Sequence, residues 1–117
     1  MTLGEAKELL DAEVICGEDQ LDQDFPCVYS CDLMSDVLHS IAPGALLLTG
    51  LSNLQVVRTA EMAEVFAICF VRNKKPDPAT VKVACESGIP VLTTELCMYE
   101  ACGRLYEQKV VGCKTPA

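Results

Sequence analysis

Residues 66–71, FAICFV, are apolar at every position. A strand with one wet face alternates apolar and polar residues, so an unbroken apolar run must be covered on both faces. That is the habit of parallel sheets flanked by helices. Residues 45–49 (ALLLT) and 89–93 (IPVLT) repeat the pattern, with Pro90 near a strand start, where a missing N–H is tolerated. The stretches between them carry apolar residues at helical spacing. This alternation predicts an α/β chain with right-handed crossovers, built as three layers, α/β/α, around a mainly parallel sheet.

The chain reads in order as follows. Thr2 and Glu5 form a capping box for a short helix ending near Leu10. Residues 12–16 are a first strand closed by Gly17, and 18–26 (EDQLDQDFP) a polar loop. Residues 27–41 (CVYSCDLMSDVLHSI) read as a strand turning sharply into a helix, with Asp32 capping it. Leu33, Met34, Val37, Leu38 and Ile41 form that helix's apolar side. Pro43 and Gly44 stop the chain before the 45–49 strand. Ser52 and Gln55 are a second capping box, for a helix burying Val56, Val57, Ala60 and Ala63. Asp77 with Pro78 starts a helix turning Val81, Ala84 and Cys85 inward, closed by Gly88. Thr94 caps a last helix to about Gln108, with Leu96, Tyr99, Cys102 and Tyr106 inward. The 117 residues are read as one domain with a loose tail at 110–117.

Charge narrows the partners. With 17 acidic and 9 basic residues the formal net charge is −8, and the basic residues gather only at Arg72, Lys74 and Lys75. Nucleic acid and an anionic membrane surface are both disfavoured, because binding either begins with neutralising negative charge. No run approaches the 18 or so apolar residues of a membrane span, and residues 1–13 lack the apolar core of a signal peptide, so the expected location is cytoplasmic. In that compartment disulfides are not expected for the eight cysteines, at 16, 27, 31, 69, 85, 97, 102 and 113. The spacings of Cys27 to Cys31 and Cys97 to Cys102 are not those of CxxC metal pairs, so most are expected to be small buried hydrophobes.

Several polar residues follow predicted strands and on a parallel sheet would share one rim. Asp32, Ser35 and Asp36 follow the 27–31 strand, and Gly50 and Ser52 the 45–49 strand. Asn73 and Lys75 follow the 66–71 strand, and Thr93 and Thr94 close the 89–93 strand. These are the candidate ligand-binding residues, with Lys75 placed to meet a small anionic ligand. The competing reading of each is an ordinary capped turn. No nucleophile stands at fixed spacing to His39, the only histidine, and no GxGxxG, Walker A, HExxH or GxSxG sequence occurs.

The segments LDQDF at 21–25, Tyr29, DLMSDV at 32–37, NKKPD at 73–77, GIPVLTT at 88–94 and GRLY at 103–106 together resemble the DRTGG domain family over about residues 12–107. The resemblance implies a fold like the HPr kinase N-terminal domain. It implies a regulatory or ligand-sensing module rather than an enzyme, one that pairs into homodimers and stands beside CBS domains in pyrophosphatases or before phosphotransacetylase domains. Stand-alone copies occur in anaerobes near hydrogenase genes, which implies an alternative role as an interaction subunit or adaptor of a redox enzyme. The family's signature Arg and paired glycines fall near Gln23, Cys27 and Val28, and are absent. Backbone there is less open to close approach by an anion. A third reading, a metal or iron–sulfur protein, would use several of Cys27, Cys31, Cys97 and Cys102. The expected balance is no cofactor and no catalytic residue, with a small anionic ligand or nucleotide and a second copy as partners.

Overall fold

In the computed structural model, which describes residues 1–114, the apolar runs form one sheet. Its strands are β1 (Glu13–Cys16), β2 (Val28–Ser30), β3 (Leu46–Thr49), β4 (Ala67–Phe70) and β5 (Val91–Thr93), in spatial order β1-β5-β4-β3-β2. β2 to β5 are parallel, Leu47 standing beside Tyr29 and Ile68, and Ile68 beside Val91. β1 joins the edge of β5 antiparallel. The helices are α1 (Leu3–Leu9), α2 (Met34–Ser40), α3 (Leu54–Met62), α4 (Pro78–Glu86) and α5 (Met98–Glu107).

The layering follows from the strand order. β2, β3, β4 and β5 march across the sheet in one direction, so crossovers of one hand leave their helices on one face. Met34 and Val37 of α2, Val56, Val57 and Ala60 of α3 and Ala84 of α4 accordingly pack with Leu47, Ile68, Phe70 and Val91. The alternate strand residues Leu46, Leu48, Ala67, Cys69 and Leu92 meet Leu3, Ala6 and Leu10 of α1 and Ala101 and Leu105 of α5. Every residue of β3, β4 and β5 is buried, as unbroken apolar runs require. The expected three-layer α/β/α fold with a mainly parallel sheet is what the chain adopts.

Local signals fared unevenly. Thr2 and Glu5 make the reciprocal capping box, and Asp77 Oδ1 accepts from the Thr80 N–H with Pro78 in the first helical position. Ser52 and Gln55 do not form a box; Asn53 stands at the start of α3 without a side-chain cap. Thr94 does not cap α5, which begins three residues after Glu95, behind Cys97. The inward face of α5 is Ala101 and Leu105, while Tyr99 and Tyr106 are 87% and 80% exposed. Small Ala101 lets the helix lie close to the α1 layer, which a tyrosine face would hold away. Likewise Cys85 is exposed on α4, Leu33 and Leu38 are exposed beside buried Met34 and Val37, and Ala63 is only half-buried.

Of the eight cysteines only Cys27 and Cys69 are buried, against the expectation for most of them. The expected loose tail lies partly outside the described residues, at 115–117. Its described part runs beside β2, the Val28 N–H donating to the Val111 carbonyl and the Cys113 N–H to the Val28 carbonyl, each at 2.9 Å.

Candidate functional site

The carboxyl ends of β2 to β5 open along one rim, but the predicted residues there gather in two places and partly in none. β4 and β5 send their chains to opposite faces, β4 into α4 and β5 into α5. Where neighbouring connections diverge in this way a crevice opens at the strand ends. Here it is a cavity of about 240 Å³. Asn73 and Lys75 line it from the turn after β4, and Thr93, Thr94, Glu95 and Leu96 from the end of β5. Asp11, in the turn after α1, and Glu13, the first residue of antiparallel β1, close its third side.

The walls are held by backbone hydrogen bonds and by two threonine hydroxyls. The Arg72 N–H donates to the Leu96 carbonyl and the Asn73 N–H to the Thr94 carbonyl, both at 2.8 Å, so the two turns are laced together. Thr93 Oγ1 donates to the Lys74 carbonyl at 2.8 Å and buried Thr94 Oγ1 to the Leu10 carbonyl at 2.7 Å. Those hydroxyl protons are committed to the scaffold; what the threonines still offer a ligand is acceptor capacity. Asp11, Arg72 and Asn73 all sit in the left-handed region, at φ of 50°, 59° and 57°. Such residues store backbone strain, and it gathers here around the cavity.

Lys75 Nζ lies 3.8 Å from Glu13 Oε2, and Asp11 and Glu95 add two further carboxylates. One lysine against three carboxylates makes a polar cavity rather than a bare anion hole. Its walls suit hydroxyl and amine donors, with the half-exposed Lys75 as the cationic contact.

The second gathering is at β2 and β3. Asp32 was expected to cap α2; instead Leu33 holds the cap position. Asp32 Oδ1 accepts from the Gly50 N–H at 2.7 Å and from Thr49 Oγ1 at 3.0 Å, binding the turn after β2 to the end of β3. Asp32 Oδ2 lies 3.7 Å from Arg72 Nη2. A Cβ on residue 50 would fall on the Arg72 guanidinium, so Gly50 is the notch through which Arg72 crosses. Arg72 joins the rim without having been a candidate, although it directly follows the FAICFV run.

Ser35 and Asp36 are exposed on α2, and Ser52 lies in the turn before α3; none of the three lines the cavity. Asp11 and Glu13 were missed because nothing local says that β1 pairs with β5. Glu95 directly follows Thr93 and Thr94 and was within reach of the same reasoning. His39 is exposed on α2. Among the described residues no three His, Cys, Asp or Glu side chains stand together to hold a metal, and the four proposed ligand cysteines are dispersed. Cys27 faces Cys113, Cys31 donates to the Leu33 carbonyl, and Cys102 donates to Ser30 Oγ.

A larger, mostly apolar groove of about 430 Å³ lies away from these residues, between the edge of β2 and α5. Val28, Tyr99, Gly103, Tyr106 and Val110 are among its walls.

No family model matches the sequence, and no curated protein matches it. Among solved structures, the chain is similar to one described as the CBS and DRTGG domains of the regulatory region of Clostridium perfringens pyrophosphatase complexed with activator, diadenosine tetraphosphate. The TM-score is 0.72 at 16% identity, with 97% of this chain covered and 50% of that one. The chain thus spans half the length of its neighbour. At that identity the likeness shows the fold, and the fold is that of a DRTGG-like α/β domain. No helix among the described residues is long and apolar enough to cross a membrane.

Proposed function

We propose that this chain is a non-catalytic, ligand-sensing regulatory domain whose rim cavity takes a small polar metabolite of the nucleoside or nucleotide class. The observation that carries this reading is the cavity itself, set where β4 and β5 diverge and lined by Asn73, Lys75, Thr93 and Thr94. About 240 Å³ falls below the usual range for whole drug-sized ligands, roughly 300–1,000 Å³, so it admits one nucleoside-sized moiety. The carboxylates of Asp11, Glu13 and Glu95 suit ribose hydroxyls or an exocyclic amine, and the half-exposed Lys75 suits a phosphate left outside. A structurally similar regulatory region bound to a dinucleotide supports the same class of ligand.

The test is calorimetric titration with mononucleotides and with diadenosine tetraphosphate. Binding by one of them should weaken about 10-fold in Lys75→Ala and about 5-fold in Asn73→Ala, the loss of one charge-assisted and one neutral hydrogen bond. Ser35→Ala, outside the cavity, should bind unchanged. A panel with no binder, or loss in all three variants alike, ends the reading.

A second reading, interaction through α5, rests on a different observation. Tyr99, Tyr106 and Val111 leave apolar surface exposed around the groove, and exposed apolar patches mark interfaces. The partner proposed is a second copy of the chain, with a redox enzyme as the alternative occupant. Residence in the cytoplasm and organisation as one domain belong to the same proposal.

A further inference from the structure

We infer that Cys27 and Cys113 form a reversible dithiol–disulfide pair, whose oxidation fastens the C-terminal segment to the edge of β2 and fixes one wall of the groove against α5. Cys27 directly precedes β2 and is buried among the residues beneath α2 and α3. Cys113 follows Gly112, which bridges Val28, and packs against that same cluster. Two backbone hydrogen bonds, Val28 to Val111 and Cys113 to Val28, hold the segments in register. Side chains alternate along extended backbone, and both sulfurs therefore fall on one side of the sheet. They stand 2.8 Å apart, inside ordinary contact for two unbonded sulfurs.

The remaining cysteines do not repeat this arrangement. Cys31 and Cys102 are engaged by oxygen partners, Cys69 is isolated in the core, and Cys97 is exposed. The Cys16 thiol meets Cys85, which is exposed on α4, and donates to the Ile89 carbonyl. That contact serves as the internal comparison.

The chemistry is thiol–disulfide exchange with a low-molecular-weight disulfide as oxidant. Burial, followed by the contact with Cys113, pushes the Cys27 thiol up to about 12, so it is a poor first nucleophile. Cys113, only half-buried, is the sulfur that the oxidant meets first. Its thiolate breaks the oxidant's S–S bond and releases one small thiol. Cys27 then gives up its proton and displaces the second small thiol from the mixed disulfide. Two S–H bonds are lost and one S–S bond forms, and the two electrons and two protons leave on the two released thiols. The closed loop spans 86 positions, so the crosslink restricts the unfolded chain strongly. Val110 and Gly112, walls of the groove, lie on the fastened segment. In the reduced protein that segment is held to β2 by the two backbone hydrogen bonds.

The experiment treats the reduced full chain with glutathione disulfide, alkylates the remaining thiols, and maps peptides without reduction. The expected result is one linkage joining the Cys27 and Cys113 peptides, with the other six cysteines alkylated. Amide exchange at Val28 and Cys113 should slow at least 10-fold, and the melting temperature should rise by roughly 10 °C. Cys113→Ser and Cys27→Ser should each lose all three effects, and Cys102→Ser, in the same groove, should keep them. Because Cys113 lies toward solvent, its variant tests the idea even if Cys27→Ser folds poorly. A linkage of Cys16 to Cys85 alone, a glutathione adduct that stops on Cys113, or unchanged exchange at Val28 after crosslinking overturns the inference.

Discussion

Asp32 is the clearest case of a residue whose type was readable and whose task was not. A carboxylate between a strand and a helix reads as a cap, yet its oxygen accepts from Gly50 and Thr49 on the neighbouring strand instead. Gly50 and Thr49 are buried, so removing their acceptor strands two donors away from water. Asp32→Ala should lower stability by about 2 kcal/mol, a fall of roughly 8 °C in melting temperature, whereas Asp32→Asn keeps one acceptor oxygen and should lose about half as much. Thermal unfolding of the two variants decides it; equal losses would mean that the contact to Arg72, not the pair of hydrogen bonds, matters. The same limit hid Asp11 and Glu13. Their chemistry was visible in the sequence, but their place beside Asn73 and Lys75 exists only once β1 has paired with β5.

At the scale of the element, helix ends divide into those the sequence announces and those it conceals. α1, α3, α4 and α5 each end in a left-handed residue: Asp11, Glu64, Gly88 and Lys109. Only Gly88 signals this by type, and its stop was legible. At Glu64, φ is 57° and Val65 donates back to the Ala60 carbonyl, the geometry that glycine adopts without penalty. Glu64→Gly should therefore stabilise the protein by about 1 kcal/mol, measured as a higher urea midpoint at unchanged slope. Helix starts carry a pH dependence. The Thr80 N–H and hydroxyl hold the Asp77 carboxyl below its ordinary 3.8, and Thr2 holds Glu5 below its ordinary 4.5. A carboxyl depressed in the folded state contributes stability that is fully present above its ordinary value and is lost as pH falls through the lowered one. Stability should thus decline below about pH 4, and Asp77→Ala, which has no such proton to take up, should show a shallower decline between pH 4 and pH 2. An equally steep curve in the variant would count against the cap.

For the molecule as a whole, three apolar runs sufficed for the fold class. A strand buried on both faces demands helices above and below, and the cadence of strand and helix demands parallel neighbours. What α5 presents outward is a different matter. Tyr99, Cys102 and Tyr106 at helical spacing read as an inward stripe, and only packing against α1 shows that Ala101 and Leu105 took that place. The tyrosines left outside flank the groove, and a second copy is the proposed cover. Sedimentation at rising concentration should then show the mass climb from 12.6 kDa toward twice that value. Tyr99→Arg should hold the chain monomeric with its melting temperature unchanged, since an 87% exposed ring supports little of the core. A monomer at every concentration would remove this reading and leave the rim cavity untouched.

By itself the sequence determined the layers, the parallel strands, the capping box of α1 and the start of α4, because these depend on patterns within a few residues of one another. Tertiary structure alone decided which polar turns share a cavity, which face of α5 is wet, and that Cys27 meets a sulfur 86 positions away. Those outcomes depend on where β1 and the C-terminal segment join the edges of the sheet. Edge pairing is made by backbone hydrogen bonds, which carry no signature in side-chain type.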